Sequence, residues 1–458
     1  MKCVVGIDLG STTTKAILLD EQGEMVGRGI TNSRSNYEVA CAVARQEALT
    51  SVRFSMLERA AARIPAPTGD RIRALIPGIR EAFRLEVYLD ELAELRNVIM
   101  AQLGRSLLLR DARKTMQPAL SRILDDVATD APRLFLGGAP RRSDFFRDLA
   151  GAAFVAGAEK LSRQEGLPFE PLVGCYDRAI LEVETRGPPR DIPAIMERAV
   201  VRVLKREGEV DEGLRNAFKG IVADVKSMPI EEVAFVGTGY GRQTLPFPKQ
   251  SIRSEILCHG RGAHRVFPGT RTVLDIGGQD TKAIQVDHAG VVTSFQMNDR
   301  CAAGCGRYLG YIADELNLGL HELGPLAMQA TRTVKVCSTC TVFAGAELRE
   351  RLALGQQRSD ILAGLHRAIM LRAMSLLARS GGIKDEFTFT GGVCNNPMAT
   401  KILRDLVDEN YSSAIKLNAH PDSIYMGALG AALFALDDAR AGRGGILPNF
   451  ARPSEAAA

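Results

Sequence analysis

Residues 3–8 run Cys-Val-Val-Gly-Ile-Asp, a short apolar stretch that breaks into Gly10-Ser11-Thr12-Thr13-Thr14-Lys15 and resumes at Ala16-Ile17-Leu18-Leu19. The pattern predicts strand, polar turn, strand: a β-hairpin with hydroxyls at its tip. Thr272 to Ile284 repeats the plan, with apolar-Asp-apolar-Gly followed by Thr-Lys-Ala-Ile. Such a repeat predicts two related halves. Between the repeats the period changes. From about 35 to about 215 the chain is rich in Arg, Leu, Ala and Glu, and Leu89, Leu92, Leu95, Val98, Ile99 and Leu103 recur at helical spacing. Pro65-Ala66-Pro67-Thr68-Gly69 and Gly137-Gly138-Ala139-Pro140 punctuate this stretch. It reads either as a mainly helical insertion over 35–215 or as helices elaborating one half, and nothing in it looks catalytic. Strand signals return at Val233-Ala234-Phe235-Val236, and helices then alternate with short strands such as Phe387-Thr388-Phe389-Thr390. That alternation is α/β. A Pro/Gly/Ala-rich tail follows about Ala441 and is expected to be flexible.

Composition changes this picture little. The chain has 458 residues, enough for two to four domains, with 46% hydrophobic and 24% charged residues. A wholly disordered chain is excluded. The net charge of +4 is too mild for a nucleic-acid binder. No run of residues reads as the roughly 20 apolar positions of a membrane helix. Met1 to Asp8 lacks the pattern of a secretion signal, so a cytoplasmic protein without membrane or nucleic-acid partners is expected.

Three polar turns carry the candidate chemistry. The Gly10 to Lys15 tip offers backbone N–H groups, hydroxyls and a lysine that can wrap a triphosphate. An aspartate on the strand leading in can hold a hydrated Mg²⁺. Asp8 stands there in the first hairpin and Asp275 in the second, ahead of Gly277-Gly278-Gln279-Asp280. Thr390-Gly391-Gly392-Val393 follows a strand and would let the backbone approach an adenosine. The order of the three turns resembles the actin–Hsp70–sugar-kinase superfamily of ATPases. The resemblance implies two RNase-H-like subdomains around an ATP cleft, the first from 1–34 plus 216–268 and the second from 269–440. It also implies that Asp8 and Asp275 position Mg²⁺ and the attacking water, with Gln279 as a further orienter of that water.

Nine cysteines, an odd number, argue against a disulfide framework. Four of them form C-x3-C (Cys301, Cys305) and C-x2-C (Cys337, Cys340), a thiolate set suited to zinc or iron–sulfur. Cys301 precedes a predicted helix running from about Gly304, and Cys340 precedes another starting at Thr341. Helix N-termini favour thiolate and a net-negative cluster. A [4Fe–4S] cluster takes four thiolates, so this chain would supply all four or share the cluster with a partner. Cys3, Cys41, Cys175, Cys258 and Cys394 read as structural, and His259 and His264 as packing or surface residues.

Asn298 to Leu309 and Cys337 to Ala344 closely resemble the ATPase family that drives 2-hydroxyacyl-CoA dehydratases and benzoyl-CoA reductases. Thr238-Gly239-Tyr240-Gly241-Arg242, Glu255 with Cys258-His259, and Gly427-Ala428-Leu429-Gly430-Ala431 match it too. The resemblance implies that Cys301 and Cys340 bind a [4Fe–4S] cluster at a subunit interface, two ligands from each chain. The long insertion, and Cys305 and Cys337 where the small dehydratase activators have Thr and Ser, look like the larger ATPase subunit of ATP-dependent benzoyl-CoA reductase. That implies ATP and Mg²⁺ as cofactors beside the cluster. The implied partners are a shorter homologous ATPase subunit, reduced ferredoxin and benzoyl-CoA-binding reductase subunits. The alternatives weighed are a dehydratase activator, a nucleotide switch without a redox centre, and a sugar kinase with structural zinc.

Overall fold

The computed structural model describes residues 1–33, 36–106, 112–136, 145–186, 191–207, 212–239, 246–298, 305–316, 318–332, 334–336 and 341–444. The chain divides into two units. One comprises Met1–Ser33, Ala44–Ala48 and Ile230–Pro448; the other comprises Arg34–Val43, Leu49–Pro229 and Asn449–Ala458.

The chain opens with β1 (Lys2–Leu9), β2 (Thr13–Asp20) and β3 (Met25–Asn32). The first two are the expected hairpin, and β3 extends it antiparallel. Helices follow: α1 (Tyr37–Ala62), α2 (Thr68–Arg105), α3 (Arg113–Phe135), α4 (Phe146–Glu165), α5 (Phe169–Arg186), α6 (Ile192–Arg206) and α7 (Glu212–Ser227). The leucine stripe of α2 is what its spacing demands. Leu92, Leu95, Val98, Ile99 and Leu103 are buried with Leu120, Ile123, Phe154 and Leu172 of α3, α4 and α5. The Glu86 carboxylate on α2 is buried and takes hydrogen bonds from Arg198 Nε (2.9 Å) and Arg202 Nε (2.7 Å) of α6. Paired donors offset the cost of burying that charge. The helical unit continues through α7 to Pro229, beyond the expected boundary near 215.

Back in the first unit come β4 (Glu231–Gly239), α8 (Glu255–Val266), β5 (Thr272–Ile276), β6 (Thr281–Val286) and β7 (Val292–Asn298). Then follow α9 (Gly306–Leu316), α10 (Leu320–Ala327), α11 (Thr341–Ala353), α12 (Arg358–Ser380), β8 (Phe387–Thr390), α13 (Pro397–Asn410), β9 (Leu417–Asn418) and α14 (Met426–Arg440). Two sheets result, ordered β3-β2-β1-β4 and β7-β6-β5-β8-β9. In each, an antiparallel three-strand meander is extended by a parallel strand beside its first strand. The internal repeat is therefore a repeat of topology. Helix α12 has the length and composition to cross a membrane, but 67% of that stretch is buried inside this unit. It packs on β6 and β7 of the second sheet, and Leu362, Leu365, Ile369 and Leu377 share one core with Phe387 and Phe389.

Glycine sets how closely α8, α14 and the first sheet approach. A Cβ on Gly6 would lie 2.2 Å from the Ala428 carbonyl oxygen, one on Gly262 2.0 Å from that of Met426, and one on Gly430 1.8 Å from that of Cys258. The other face of α8 closes the second sheet: Ile256 and Ala263 share a core with Val273, Ile284 and Val286. Thus α8 lies between the two sheets and packs on both. Overpacking a close contact costs about 1–3 kcal/mol or more, while Gly→Ala in an open helix interior gains about 0.5–1 kcal/mol. Gly430→Ala is therefore expected to lower stability by at least the first amount. Gly310→Ala in α9, where a Cβ meets nothing within 4 Å, is expected to raise it by the second. Urea denaturation followed by circular dichroism reads both signs.

Candidate functional site

The two hairpins carry the same cross-strand pair. Asp8 on β1 stands opposite Lys15 on β2, and Asp275 on β5 stands opposite Lys282 on β6. Lys15 Nζ lies 3.6 Å from Asp8 Oδ2, and Lys282 Nζ lies 3.4 Å from Asp275 Oδ2. At the first tip the Ser33 hydroxyl donates to the Gly10 carbonyl, and its oxygen lies 3.0 Å from Thr14 Oγ1. Thr14 is wholly buried in this pairing, so of the expected phosphate donors it is the one turned into the sheet. Ser11, Thr12, Thr13 and Lys15 remain around the tip. Ser33, which no turn motif singles out, shapes it.

The second tip faces the first. A Cβ on Gly278 would lie 2.1 Å from Thr12 Oγ1 and 3.4 Å from Ser11 Oγ, so the two tips meet closely at this glycine. Gln279 sits half-buried between Gly278 and Asp280. Gly391 crosses the end of β5 at φ +86, where a Cβ would lie 2.3 Å from the Ile276 carbonyl oxygen. The turn expected to admit an adenosine thus lies on the strand that carries Asp275, while Gly392 beside it is exposed. Thr390 Oγ1 donates to Asp275 Oδ1 at 3.0 Å.

Behind the turns is a buried charge cluster. Lys282 Nζ lies 2.8 Å from Asp280 Oδ1 and 3.6 Å from Glu255 Oε2 as well as near Asp275. His259 Nδ1 lies 3.2 Å from Asp275 Oδ1 but off the hydrogen-bond axis, so the contact is electrostatic. Burial opposes charge on Asp275, yet His259 and Lys282 hold its carboxyl far below the usual carboxylate range. Burial likewise opposes charge on Lys282, and Asp275, Asp280 and Glu255 together keep it raised. For Glu255 burial wins over Lys282 and the carboxyl is pushed up. For His259 burial is outweighed by Asp275 and the imidazole is raised. His259, expected to be a packing or surface residue, is buried beside Asp275 of the next strand, β5.

The cluster sets the carboxyl groups of Asp8, Asp275, Asp280 and Glu255 against the cations Lys15 and Lys282 and the His259 imidazole. Among the described residues no three His, Cys, Asp or Glu side chains converge to hold a metal by themselves. Mg²⁺ binds through one or two carboxylates, waters and substrate phosphates, and Asp8 and Asp275 are buried carboxyl groups of that kind.

The expected ligands Cys301 and Cys340 lie outside the described residues, as do Cys337 and Tyr240-Gly241-Arg242. Cys305 is buried at the start of α9. Helix α9 begins at Gly306, where Gly306 N donates to Gly277 O (2.8 Å) and Arg307 N to Gly278 O (2.7 Å). The Gly277–Gly278 turn is therefore bonded directly to the helix that follows the first cysteine motif. Helix α11 begins at Thr341, directly after Cys340. A Cβ on Gly345 would lie 2.4 Å from Tyr311 Oη, and one turn further along each helix Arg349 pairs with Glu315. These contacts advance together, so α9 and α11 run parallel with their N-termini at the same end. Two helix N-termini side by side present free N–H donors and positive dipole ends, a setting that fits a net-negative thiolate-bound cluster.

The topology and the facing turns define a two-lobed nucleotide-binding fold of the actin/Hsp70/sugar-kinase type. The crystal structure of the Acidaminococcus fermentans (R)-2-hydroxyglutaryl-CoA dehydratase component A shares that fold, with TM-score 0.52 and 23% identity over 96% of this chain and 100% of that one. Residues 5–435 match the BadF/BadG/BcrA/BcrD ATPase family, and the chain belongs to it. Relatives include the (R)-2-hydroxyglutaryl-CoA dehydratase activating ATPase of A. fermentans, 43% identical over 45% of this chain and 77% of that protein. The activator of lactoyl-CoA dehydratase of Anaerotignum propionicum is 37% identical over 55% and 92%. One of the benzoyl-CoA reductase subunits of Thauera aromatica is 33% identical over 48% and 76%.

One buried histidine supports the turn that follows β8. His366 Nδ1 donates to the Leu362 carbonyl (2.7 Å), and Asn396 Nδ2 donates to His366 Nε2 (2.9 Å). Asn396 Oδ1 in turn caps α13. Burial depresses the imidazole's pKa against the Leu362 hydrogen bond, and a proton on Nε2 would oppose the Asn396 donor. A histidine with a lowered folded pKa contributes stability above its unfolded value, about 6.5. That stability is lost as the pH falls below it, because the unfolded chain takes up the proton first. Thermal melts from pH 7 to pH 5 should show the stability advantage of wild type over His366→Asn narrowing toward acid; a constant gap would contradict this account.

Proposed function

We propose that this chain is an ATP-driven electron donor, the larger ATPase subunit of an ATP-dependent benzoyl-CoA reductase, sharing a [4Fe–4S] cluster with a shorter homologous subunit. The carrying observation is the pair of backbone hydrogen bonds from Gly306 and Arg307 to Gly277 and Gly278. Through them, any movement of the turn that grips phosphates moves the helix that follows Cys301.

In this reading Ser11, Thr12, Thr13 and Lys15 hold the phosphates from one side, and Gly277, Gly278 and Gln279 from the other. Asp8 and Asp275 orient Mg²⁺ and the attacking water, Gln279 assists, and Gly391 and Gly392 admit the adenosine. Cys301 and Cys340 each give one thiolate from parallel helix ends. When bound, the cluster supplies a one-electron carrier whose potential responds to burial and helix dipoles. Nucleotide must bind the open and closed clefts with different affinity to drive the change. Reduced ferredoxin is the electron source, and separate reductase subunits bind the aromatic thioester. The helical insertion and the likeness to one of the benzoyl-CoA reductase subunits favour this acceptor. A second reading, activator of a 2-hydroxyacyl-CoA dehydratase, is favoured by the higher identity to the dehydratase activators.

Anaerobic co-expression with the shorter subunit is expected to give brown protein with iron and acid-labile sulfide. Cys301→Ser and Cys340→Ser should each remove most of the iron, and MgATP should alter the reduced protein's EPR spectrum. Iron content untouched by both substitutions refutes the ligand assignment. Electron delivery to a 2-hydroxyacyl-CoA dehydratase but not to benzoyl-CoA-reducing subunits selects the second reading.

A further inference from the structure

We propose that His259 is a positioning residue for ATP hydrolysis, a rigid ring on the shared helix α8 that sets the Asp275 carboxylate of one lobe and faces the Asp8 carboxylate of the other across the gap at Gly427. The assignment rests on the nucleotide reading above and gives a role to a residue that the phosphate turns do not include.

The ring is placed from both ends. Nδ1 lies 3.2 Å from Asp275 Oδ1. On the opposite side, a Cβ on Gly427 would lie 2.8 Å from His259 Nε2 and 2.8 Å from Asp8 Oδ2. Those two atoms therefore flank the same small gap at the start of α14, and glycine at 427 keeps it open. Any side chain there would push between the imidazole and Asp8.

The helix that carries the ring explains why it can report on both lobes. Cys258 on α8 belongs to the core under the first sheet, while Ile256 and Ala263 belong to the core of the second. One turn before His259, Glu255 reaches Lys282, the cation opposite Asp275. So α8 delivers two polar side chains into the cluster and is itself clamped by the Gly262 and Gly430 contacts. Two carboxylates approaching each other in a buried cleft repel, and low dielectric strengthens that repulsion. A rigid imidazole between them, with Nδ1 toward Asp275 and Nε2 across the Gly427 gap from Asp8, places a polar ring where that repulsion acts. Thr390 fixes Asp275 Oδ1 from the other side, so the carboxylate has one orientation toward the cleft.

The test uses the full chain and substitutions that keep one end of the ring at a time. His259→Asn retains an amide near Nδ1, facing Asp275, and His259→Gln retains one near Nε2, facing Asp8. Gly427→Ala fills the gap while leaving the imidazole. The readouts are kcat and KM for MgATP, and Mn²⁺ affinity in the presence of ADP measured by EPR. Groups that orient metal-holding carboxylates are typically worth about 10–100-fold. Each of the three variants is expected to lose about tenfold or more in kcat and in Mn²⁺ affinity, with KM for ATP changed less than about threefold. If Gly427→Ala misfolds, the two His259 variants decide. Wild-type kcat and Mn²⁺ affinity in His259→Asn show that the Asp8 side is not used and overturn the assignment; the same in His259→Gln overturns it from the Asp275 side. If wild type itself binds no Mn²⁺ with ADP, the nucleotide reading falls and the assignment with it.

Discussion

Two carboxyl groups must be accommodated inside a protein interior, and the first unit is arranged around that requirement. Asp8 and Asp275 are each nearly inaccessible to solvent. Unpaired, such groups would neutralise rather than stay charged. The solution is the same in both sheets: a lysine directly opposite on the next strand of the hairpin, Lys15 for Asp8 and Lys282 for Asp275. The second copy is the more heavily built, with His259 and Thr390 on Asp275 and two further carboxylates on Lys282. The first copy is the lighter of the two, and its open tip carries the hydroxyls.

Holding the charges would be of no use if the turns beyond them could not meet. Glycine makes that possible at a few positions where backbone approaches backbone or hydroxyl. Gly278 lets the second tip reach Thr12 and Ser11, and Gly391 lets the turn after β8 cross the end of β5. Gly430 and Gly262 let α14 and α8 cross with their backbones in contact. Each saves the volume of one methyl group.

The same economy ties the cleft to the cysteine helices. Gly277 and Gly278 offer their carbonyls to the first N–H groups of α9, which a helix start leaves without internal partners. These bonds satisfy the helix end and make the turn part of it. Because α11 lies parallel to α9 through Gly345 and Arg349, a displacement passed to one helix is shared by the other. Two short backbone hydrogen bonds are thus the mechanical link between nucleotide and thiolate in the proposed function.

What the amino-acid sequence determines alone is what neighbours along the chain decide. Alternation of apolar residues about a Gly-Ser-Thr turn yields the two hairpins, and the leucine spacing yields α2. Both cysteine motifs sit directly ahead of helix starts, and the Asp–Lys pairs sit seven residues apart in each hairpin. Such signals are local because strand pairing across a tight turn and one-sided helix burial involve residues close in sequence. Only the tertiary structure decides that Thr14 turns into the sheet against Ser33, or that the apolar α12 is a core helix. The same holds for the extension of the helical unit to Pro229, the parallel course of α9 and α11, and the place of His259 between Asp275 and Asp8. Those outcomes depend on elements brought together from far along the chain. A buried histidine has the same local pattern whether its neighbours are leucines or carboxylates, and only the packing of α8 against both sheets tells them apart.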